Sequence, residues 1–112
     1  MLHVFSDRVV DMLADFGPVQ QCSMFGGSGF FSRSLMFAIA VNDQLFFKAD
    51  METRPLFEAR GLERFAYQQQ GQTCFLGYYH APAEVLHDGT EMTRWVQQAL
   101  LSAERAHKAH AA

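Results

Sequence analysis

The sequence predicts an α+β domain in which helices at both ends and in the middle flank an antiparallel sheet. Apolar residues recur at helical spacing near both ends of the chain, whereas short apolar runs separated by Gly, Asn, Asp and Gln lie between them. Such runs form hairpins, which favours an antiparallel sheet over a parallel α/β sheet. A chain of 112 residues can bury a core of its own, so residues 1–112 are expected to form one domain.

A helix at residues 5–16 is the first predicted element. Its apolar residues recur at i, i+4, i+7, i+8 and i+11, so they share one face. Ser6 is the expected N-cap, and Gly17 with Pro18 ends the helix. The carboxylates of the opposite face are expected to be solvated rather than to hold a metal. They are Asp7, Asp11 and Asp15.

Two pairs of strands follow, and a glycine-rich motif joins the first pair. The predicted strands are Val19–Phe25, Gly29–Ser32, Leu35–Val41 and Gln44–Lys48, with a type I′ turn at Asn42-Asp43. Because glycine tolerates a positive φ, we interpret the motif as a structural turn. A phosphate-binding loop is disfavoured, since neither a Gly-Lys-Ser/Thr ending nor a helix follows. The motif residues are Met24, Phe25, Gly26, Gly27 and Gly29.

A short helix and a second hairpin come next. Asp50 or Thr53 is the expected start of the helix, and Gly61 ends it. The hairpin pairs residues 64–68 with residues 72–79.

The last predicted helix begins at Asp88, which forms a capping box with Glu91. Leu101 points to the polar side, and the tail from about residue 107 is expected to fray because it has little to bury. The buried stripe consists of Met92, Trp95, Val96, Ala99 and Ala103. The predicted order is therefore α-β-β-β-β-α-β-β-α, with the strands in two antiparallel sets.

The composition excludes several classes of protein. An apolar share of 49% is typical of a globular core, and no apolar run is long enough to cross a membrane. The first residues lack a secretory pattern, so a cytoplasmic location is expected. The net charge of −3 lacks the basic excess of a nucleic-acid binder, and no local basic patch is visible. Direct DNA binding by the domain alone is therefore not expected.

No set of residues forms a complete catalytic, metal or cofactor motif, so the sequence predicts a non-enzymatic protein without a cofactor. Cys22 and Cys74 are interpreted as reduced thiols. His107 and His110 have the spacing of metal ligands but no third ligand. His80 is interpreted as a hydrogen-bonded spacer, with a ligand contact as the alternative.

Three aromatic pairs lie in predicted strands. Neighbouring strand residues point to opposite faces, so each pair places one ring on each side of the sheet. Either helices cover these rings, or the uncovered rings form a protein interface, for which a twofold homodimer is the simplest case. Base stacking is disfavoured because few Lys and Arg residues lie between the rings. The interface candidates are Phe30, Phe31, Phe46, Phe47, Tyr78, Tyr79 and Leu101.

Five sequence blocks resemble the N-terminal domain of the TfoX/Sxy family, over about residues 5–103. The blocks are Met24–Gly29 (MFGGSG), Leu35–Ala38 (LMFA), Leu45–Asp50 (LFFKAD), Phe57–Leu62 (FEARGL) and Tyr78–Pro82 (YYHAP). The resemblance implies a compact α+β domain of the secretion-chaperone-like type. It also implies a regulatory role, since the best-known members are bacterial regulators of natural competence that act with a transcription activator rather than as enzymes.

Two departures from the family pattern bear on function. The full regulators carry a helical C-terminal domain that this chain is expected to lack, and relatives often have basic residues where this chain has Cys22 and Ser23. The sequence therefore predicts a regulatory module that acts through protein contacts, with the transcription machinery implied as partner. The first alternative is a nucleic-acid-associated transcription cofactor. A small-molecule-binding protein or an enzyme of unknown type ranks below it.

Overall fold

The computed structural model describes the backbone of residues 4–14, 16–24 and 26–111, and their side chains except those of Val4, His110 and Ala111. The helices are α1 (Val4–Met12), α2 (Arg54–Glu58) and α3 (Gly89–Ala111), with a 3₁₀ turn at Ala83–Leu86. The strands are β1 (Gln20–Met24), β2 (Gly27–Ser32), β3 (Leu35–Val41), β4 (Gln44–Lys48), β5 (Arg64–Gln69) and β6 (Gln72–His80). The predicted order of elements and the α+β class are confirmed.

All six strands belong to one antiparallel sheet with the order β1-β2-β3-β4-β6-β5. The first four strands form consecutive hairpins. The second hairpin joins them through its later strand, because residues 46–48 pair with residues 78–80. The two predicted sets are therefore neighbours in a single sheet, with β1 and β5 at its edges.

Three tight turns connect neighbouring strands with positive φ at both central residues. Asn42 and Asp43 have φ values of 53° and 59°, as the predicted type I′ turn requires. Gln70-Gly71 makes the same kind of connection, with φ values of 52° and 78°. The turn at Arg33-Ser34, with values of 51° and 65°, was not predicted because neither residue type favours this conformation.

The first helix differs from its prediction at both ends. It ends at Met12, and the chain leaves it through turns in which the Gly17 amide donates to the Leu13 carbonyl at 3.3 Å. Ser6 is not an N-cap: it lies inside α1, where its buried hydroxyl donates to the Ser28 hydroxyl of β2 at 3.1 Å. Ser6 thus ties α1 to the sheet. Asp15, the third member of the acidic row, lies outside the described residues.

Each face of the sheet carries its own apolar cluster. The main core lies between one face and the helices, and its largest members include Phe30, Phe37, Phe47, Phe57, Met92 and Trp95. On the opposite face, the buried members that the structure describes come from strands alone, and they are Ile39, Phe46, Phe65 and Tyr78. The Phe65 ring packs edge-on against Phe46 with centroids 4.9 Å apart. Among the described residues, the buried cover of this face therefore comes from strand side chains.

The last helix buries the predicted stripe, whose five members are all less than a tenth exposed. The Asp88 carboxylate accepts hydrogen bonds from the amides of Thr90 at 2.9 Å and Glu91 at 3.3 Å, so it acts as the N-cap. In a capping box the Glu91 carboxylate would accept a hydrogen bond from the Asp88 amide. It binds Arg94 at 2.7 Å instead, so an ion pair takes the place of that bond. The helix continues to Ala111, and fraying of its tail stays a prediction. No described helix is both long and apolar enough to span a membrane.

Candidate interaction surfaces

The glycine motif forms the hairpin turn between β1 and β2. Met24 pairs with Gly27, so the loop consists of Phe25, which lies outside the described residues, and Gly26, whose φ is 75°. Gly27 belongs to β2, and a Cβ there would stand 2.0 Å from the carbonyl oxygen of Ala40. The first glycine thus serves a turn and the second allows a close approach of two strands.

Gly29 is enclosed by side chains instead. A Cβ at this position would stand 2.8 Å from the Sδ atoms of both Met24 and Met36. The two thioethers therefore occupy the space above Gly29. All three described glycines of the motif have a packing or turn explanation.

Most of the predicted interface residues are core residues. Phe30, Phe47 and Tyr79 are buried on the helix-covered face, and Phe46 and Tyr78 in the cluster on the opposite face. Each aromatic pair of β4 and β6 thus sends one ring to each side of the sheet, but neither ring stays at the surface. Phe31 is half-buried, and Leu101 is 51% exposed. An interface role remains a prediction for the last two alone.

Phe31 lines a shallow cleft of about 490 Å³ between the end of α1 and the β2–β3 turn. Phe16 and Val19 contribute its other large apolar side chains. Arg33, on the rim, binds Glu104 of α3 at 2.7 Å. Leu101 precedes Glu104 by about one helical turn, so the ion pair connects the regions of Phe31 and Leu101.

The candidate nucleophiles and ligands do not converge. Cys22 is exposed on β1, whereas Cys74 is half-buried on β6. His80 shares a hydrogen bond with the Ala81 carbonyl through Nδ1 at 2.9 Å and packs edge-on against the Phe46 ring. This is the geometry of a spacer, although His80 also borders two small clefts. Among the described residues, no three His, Cys, Asp or Glu side chains are grouped as metal ligands.

A polar cluster around Asp50 ties the β4–α2 loop to α3. Arg105 donates to both Asp50 oxygens, and its Nε also lies 2.8 Å from a Glu52 oxygen. The buried hydroxyls of Thr53 and Ser102 are hydrogen-bonded to each other at 2.9 Å. Hydrogen bonds from Arg105 and from the Thr53 and Glu52 amides hold the pKa of Asp50 at about 2, against the opposing effect of burial. These partners make the cluster a structural lock.

A small cleft of about 220 Å³ lies beside this lock, and we call it the cationic cleft. Its lining residues are Ala49, Asp50, Met51, Arg54, Arg64, Gly77 and Tyr79. Lys48 lies on the neighbouring strand β4, with Nζ 3.2 Å from the place that a Cβ on the lining residue Gly77 would take. Burial lowers the pKa of Lys48, nearby Asp50 opposes this shift, and Arg64 adds to it.

Two large apolar side chains remain exposed at or near the cationic cleft: Met51 lines it, and Phe75 contacts its lining residue Arg64. Met51 is 83% exposed, and Phe75, whose ring lies 5.9 Å beneath the Arg64 guanidinium, is 59% exposed. Sequence analysis missed this surface, because Lys48, Arg54 and Arg64 belong to three different elements and form no basic run. The only sequence signal was the resemblance block at residues 45–50.

The family model of the TfoX N-terminal domain matches residues 11–103, from the second half of α1 into α3. The chain belongs to the TfoX N-terminal domain family. It is also similar to the DNA transformation protein TfoX1 of Aliivibrio fischeri, with 27% identity over 73 residues. The aligned region covers 65% of this chain and 35% of that relative.

The TfoX N-terminal domain match contains the whole sheet, the cationic cleft and the Asp50 lock except for Arg105. It links the chain to the regulation of competence. Because the chain spans about a third of the length of the relative, the activity of that whole protein is not transferred to it.

Proposed function

We propose that this TfoX N-terminal domain is a non-catalytic regulatory module that acts in the cytoplasm through contacts with another protein. The partner belongs to the transcription machinery that controls genes for DNA uptake. The family membership and the similarity to a DNA transformation protein support the regulatory role.

The observation that carries the protein-binding role is the set of large apolar side chains that the fold leaves uncovered. Met51, Phe75 and Leu101 are each at least half exposed, although the chain has two well-filled apolar clusters. Exposed apolar side chains that lie together in a patch are typical of sites where another protein docks.

Several charged side chains that are bound within the fold support the non-catalytic part of the proposal. Asp50 and Arg105 bind each other, Arg60 binds Glu84 through two bonds of 2.6 and 2.9 Å, and Glu58 accepts a bond from the Tyr79 hydroxyl. Groups that are engaged in this way stabilise the fold and are poorly placed for acid–base chemistry.

Deletion of the coding sequence in the organism that encodes the chain tests the regulatory role. We expect a lower frequency of natural transformation and altered transcripts of DNA-uptake genes, both restored by the wild-type chain. Unchanged transformation and an unchanged transcript profile under competence-inducing conditions would contradict the proposal.

A further inference from the structure

We propose that the cationic cleft is the docking site for an acidic segment of a partner protein. Apolar side chains of that segment would pack against Met51 and Phe75. The proposal rests on the proposed function, because it names the chemistry of the partner that the regulatory module binds. It commits to a protein segment as the occupant.

The first argument is unbalanced positive charge. Arg64 donates its Nε to the Leu76 carbonyl at 2.9 Å, and Lys48 holds its Nζ 5.2 Å from the centroid of the Tyr78 ring. Within the described part of the chain, neither has an ion-pair carboxylate. Both cations are therefore available to a carboxylate from outside.

The acidic residues near the cleft offset this charge only in part, although Arg105 contacts both Asp50 and Glu52 and Asp50 also acts on Lys48. Asp50 is bound by Arg105 through two hydrogen bonds. Glu58 lies 3.7 Å from the Arg54 Nε and accepts a bond from Tyr79 as well. Since the chain as a whole carries a net charge of −3, the cluster does not reflect a generally basic surface. Charge complementarity thus points to an acidic occupant.

The size and borders of the cleft favour a peptide side chain over a free small molecule. Its volume of about 220 Å³ is below the range of roughly 300–1,000 Å³ that is usual for small-molecule pockets. The exposed side chains of Met51 and Phe75 offer apolar contacts that a free anion would not use. A segment that alternates acidic and apolar residues matches both features.

Nucleic acid is the less suitable occupant. Duplex binding depends on neutralising a row of phosphates, whereas this surface gathers Lys48, Arg54 and Arg64 at one point. The exposed ring of Phe75 is also covered on one side by Arg64, which leaves little room for base stacking.

Fluorescence anisotropy with the full chain tests the proposal. The probe is a labelled peptide that alternates Glu with Leu and Phe, and the comparison probes are the same peptide with Lys in place of Glu and a random-sequence DNA duplex. We expect the acidic peptide to bind best and its affinity to fall with added salt. Equal binding of the Lys peptide, tighter binding of the duplex, or no binding of the acidic peptide would overturn the proposal.

Matched variants locate the binding surface. Arg64→Gln and Phe75→Ser are each expected to weaken binding of the acidic peptide about tenfold. The control for the charge is Arg94→Gln, which makes the same change as Arg64→Gln at an exposed position of α3 and is expected to leave binding unchanged. An equal loss in this control would overturn the assignment, and circular dichroism of each variant establishes that it is folded.

Peptide binding and the phenotype of the deletion strain together separate the two proposals. If acidic-peptide binding fails but deletion still lowers transformation, the docking site is wrong and the regulatory function stands. If peptide binding depends on Arg64 but deletion changes no transcripts, the surface stands and the regulatory function is wrong.

Discussion

Asp50 shows how one carboxylate can connect distant parts of a small domain. It caps the turn before α2 through the amides of Glu52 and Thr53, and it binds Arg105 far along the chain in α3. Its charge therefore stabilises both local and long-range structure.

Asp50→Asn is expected to destabilise the domain by up to about 2 kcal/mol at pH 7, because the charge–charge part of the Arg105 contact is lost while the amide acceptor remains. Since folding lowers the pKa of Asp50 from 3.8 to about 2, its stabilising effect is complete above pH about 4 and is lost as the pH falls towards about 2. Urea unfolding at pH 7 and pH 3 measures the difference in unfolding free energy between the variant and the wild type. This difference should be smaller at pH 3.

Asp11→Asn provides the control for this measurement, because Asp11 is an exposed carboxylate on α1. Its unfolding free energy is expected to match that of the wild type at both pH values. A difference between Asp50→Asn and wild type that stays constant or widens at pH 3 would contradict the role assigned to the Asp50 charge.

Substitutions of Gly26 and Gly27 are expected to destabilise the domain for different reasons. Gly26→Val places a β-branched residue at a φ of 75° and should destabilise the domain by more than about 1 kcal/mol. Gly26→Asn should cause a smaller loss of stability, because asparagine tolerates a positive φ better. Gly27→Ala should destabilise it by roughly 1–3 kcal/mol through the clash with the Ala40 carbonyl. Thermal and urea unfolding measure both effects. A Gly27→Ala variant as stable as the wild type would contradict the close strand approach.

At the scale of elements, α3 depends on its cap. Asp88→Ala is expected to destabilise the domain by about 1 kcal/mol, because the amides of Thr90 and Glu91 lose their acceptor. Asp88→Ser, which restores an acceptor, should recover most of this stability in the same urea titration. If serine and alanine at position 88 behave alike, the cap contributes nothing measurable.

Elements were predictable from sequence wherever a local signal determines the backbone. Asn42-Asp43 favours positive φ by residue type, and the β3–β4 hairpin was predicted with its observed bounds. Arg33-Ser34 adopts the same conformation only because the paired strands β2 and β3 impose it. Ser6 looked like a cap because serine prefers that position, yet its partner Ser28 lies in another element.

The candidate site could not be predicted, because it depends on contacts between different elements of the fold. Lys48, Arg54 and Arg64 meet only after β4, α2 and β5 have packed, so no window of sequence contains the cluster. The aromatic pairs of β4 and β6 follow the predicted alternation of faces. They did not reveal that Phe46 and Tyr78 would be buried by other strands, since that depends on how the second hairpin packs.

For the molecule as a whole, we predict a twofold dimer that forms through the surface of Phe31 and Leu101. Both side chains are at least partly exposed, and a stable interface would bury roughly 800 Å² on each partner. Light scattering at tens of micromolar should give twice the single-chain mass of 12.7 kDa. Leu101→Glu should return the mass to that of one chain, and Phe75→Ser should leave the dimer intact. A single-chain mass for the wild type would show that these residues do not mediate self-association.

We also predict no appreciable affinity for duplex DNA at physiological salt. The net charge is −3, and exposed Cys22 and Ser23 precede the glycine motif where relatives often have basic residues. Titration with a random-sequence duplex should show no saturable binding. Tight binding that weakens steeply with salt would refute this prediction and favour the nucleic-acid-associated alternative.

The order of elements along the chain has a consequence for synthesis of the protein. The helix α3, which covers the sheet, follows all six strands. While the ribosome is still producing it, Phe37 and Phe47 lie on a sheet face that lacks the part of its cover supplied by α3. Nascent chains in this state bind chaperones or aggregate. Translation that stops before Trp95 would release an aggregation-prone sheet instead of a folded domain.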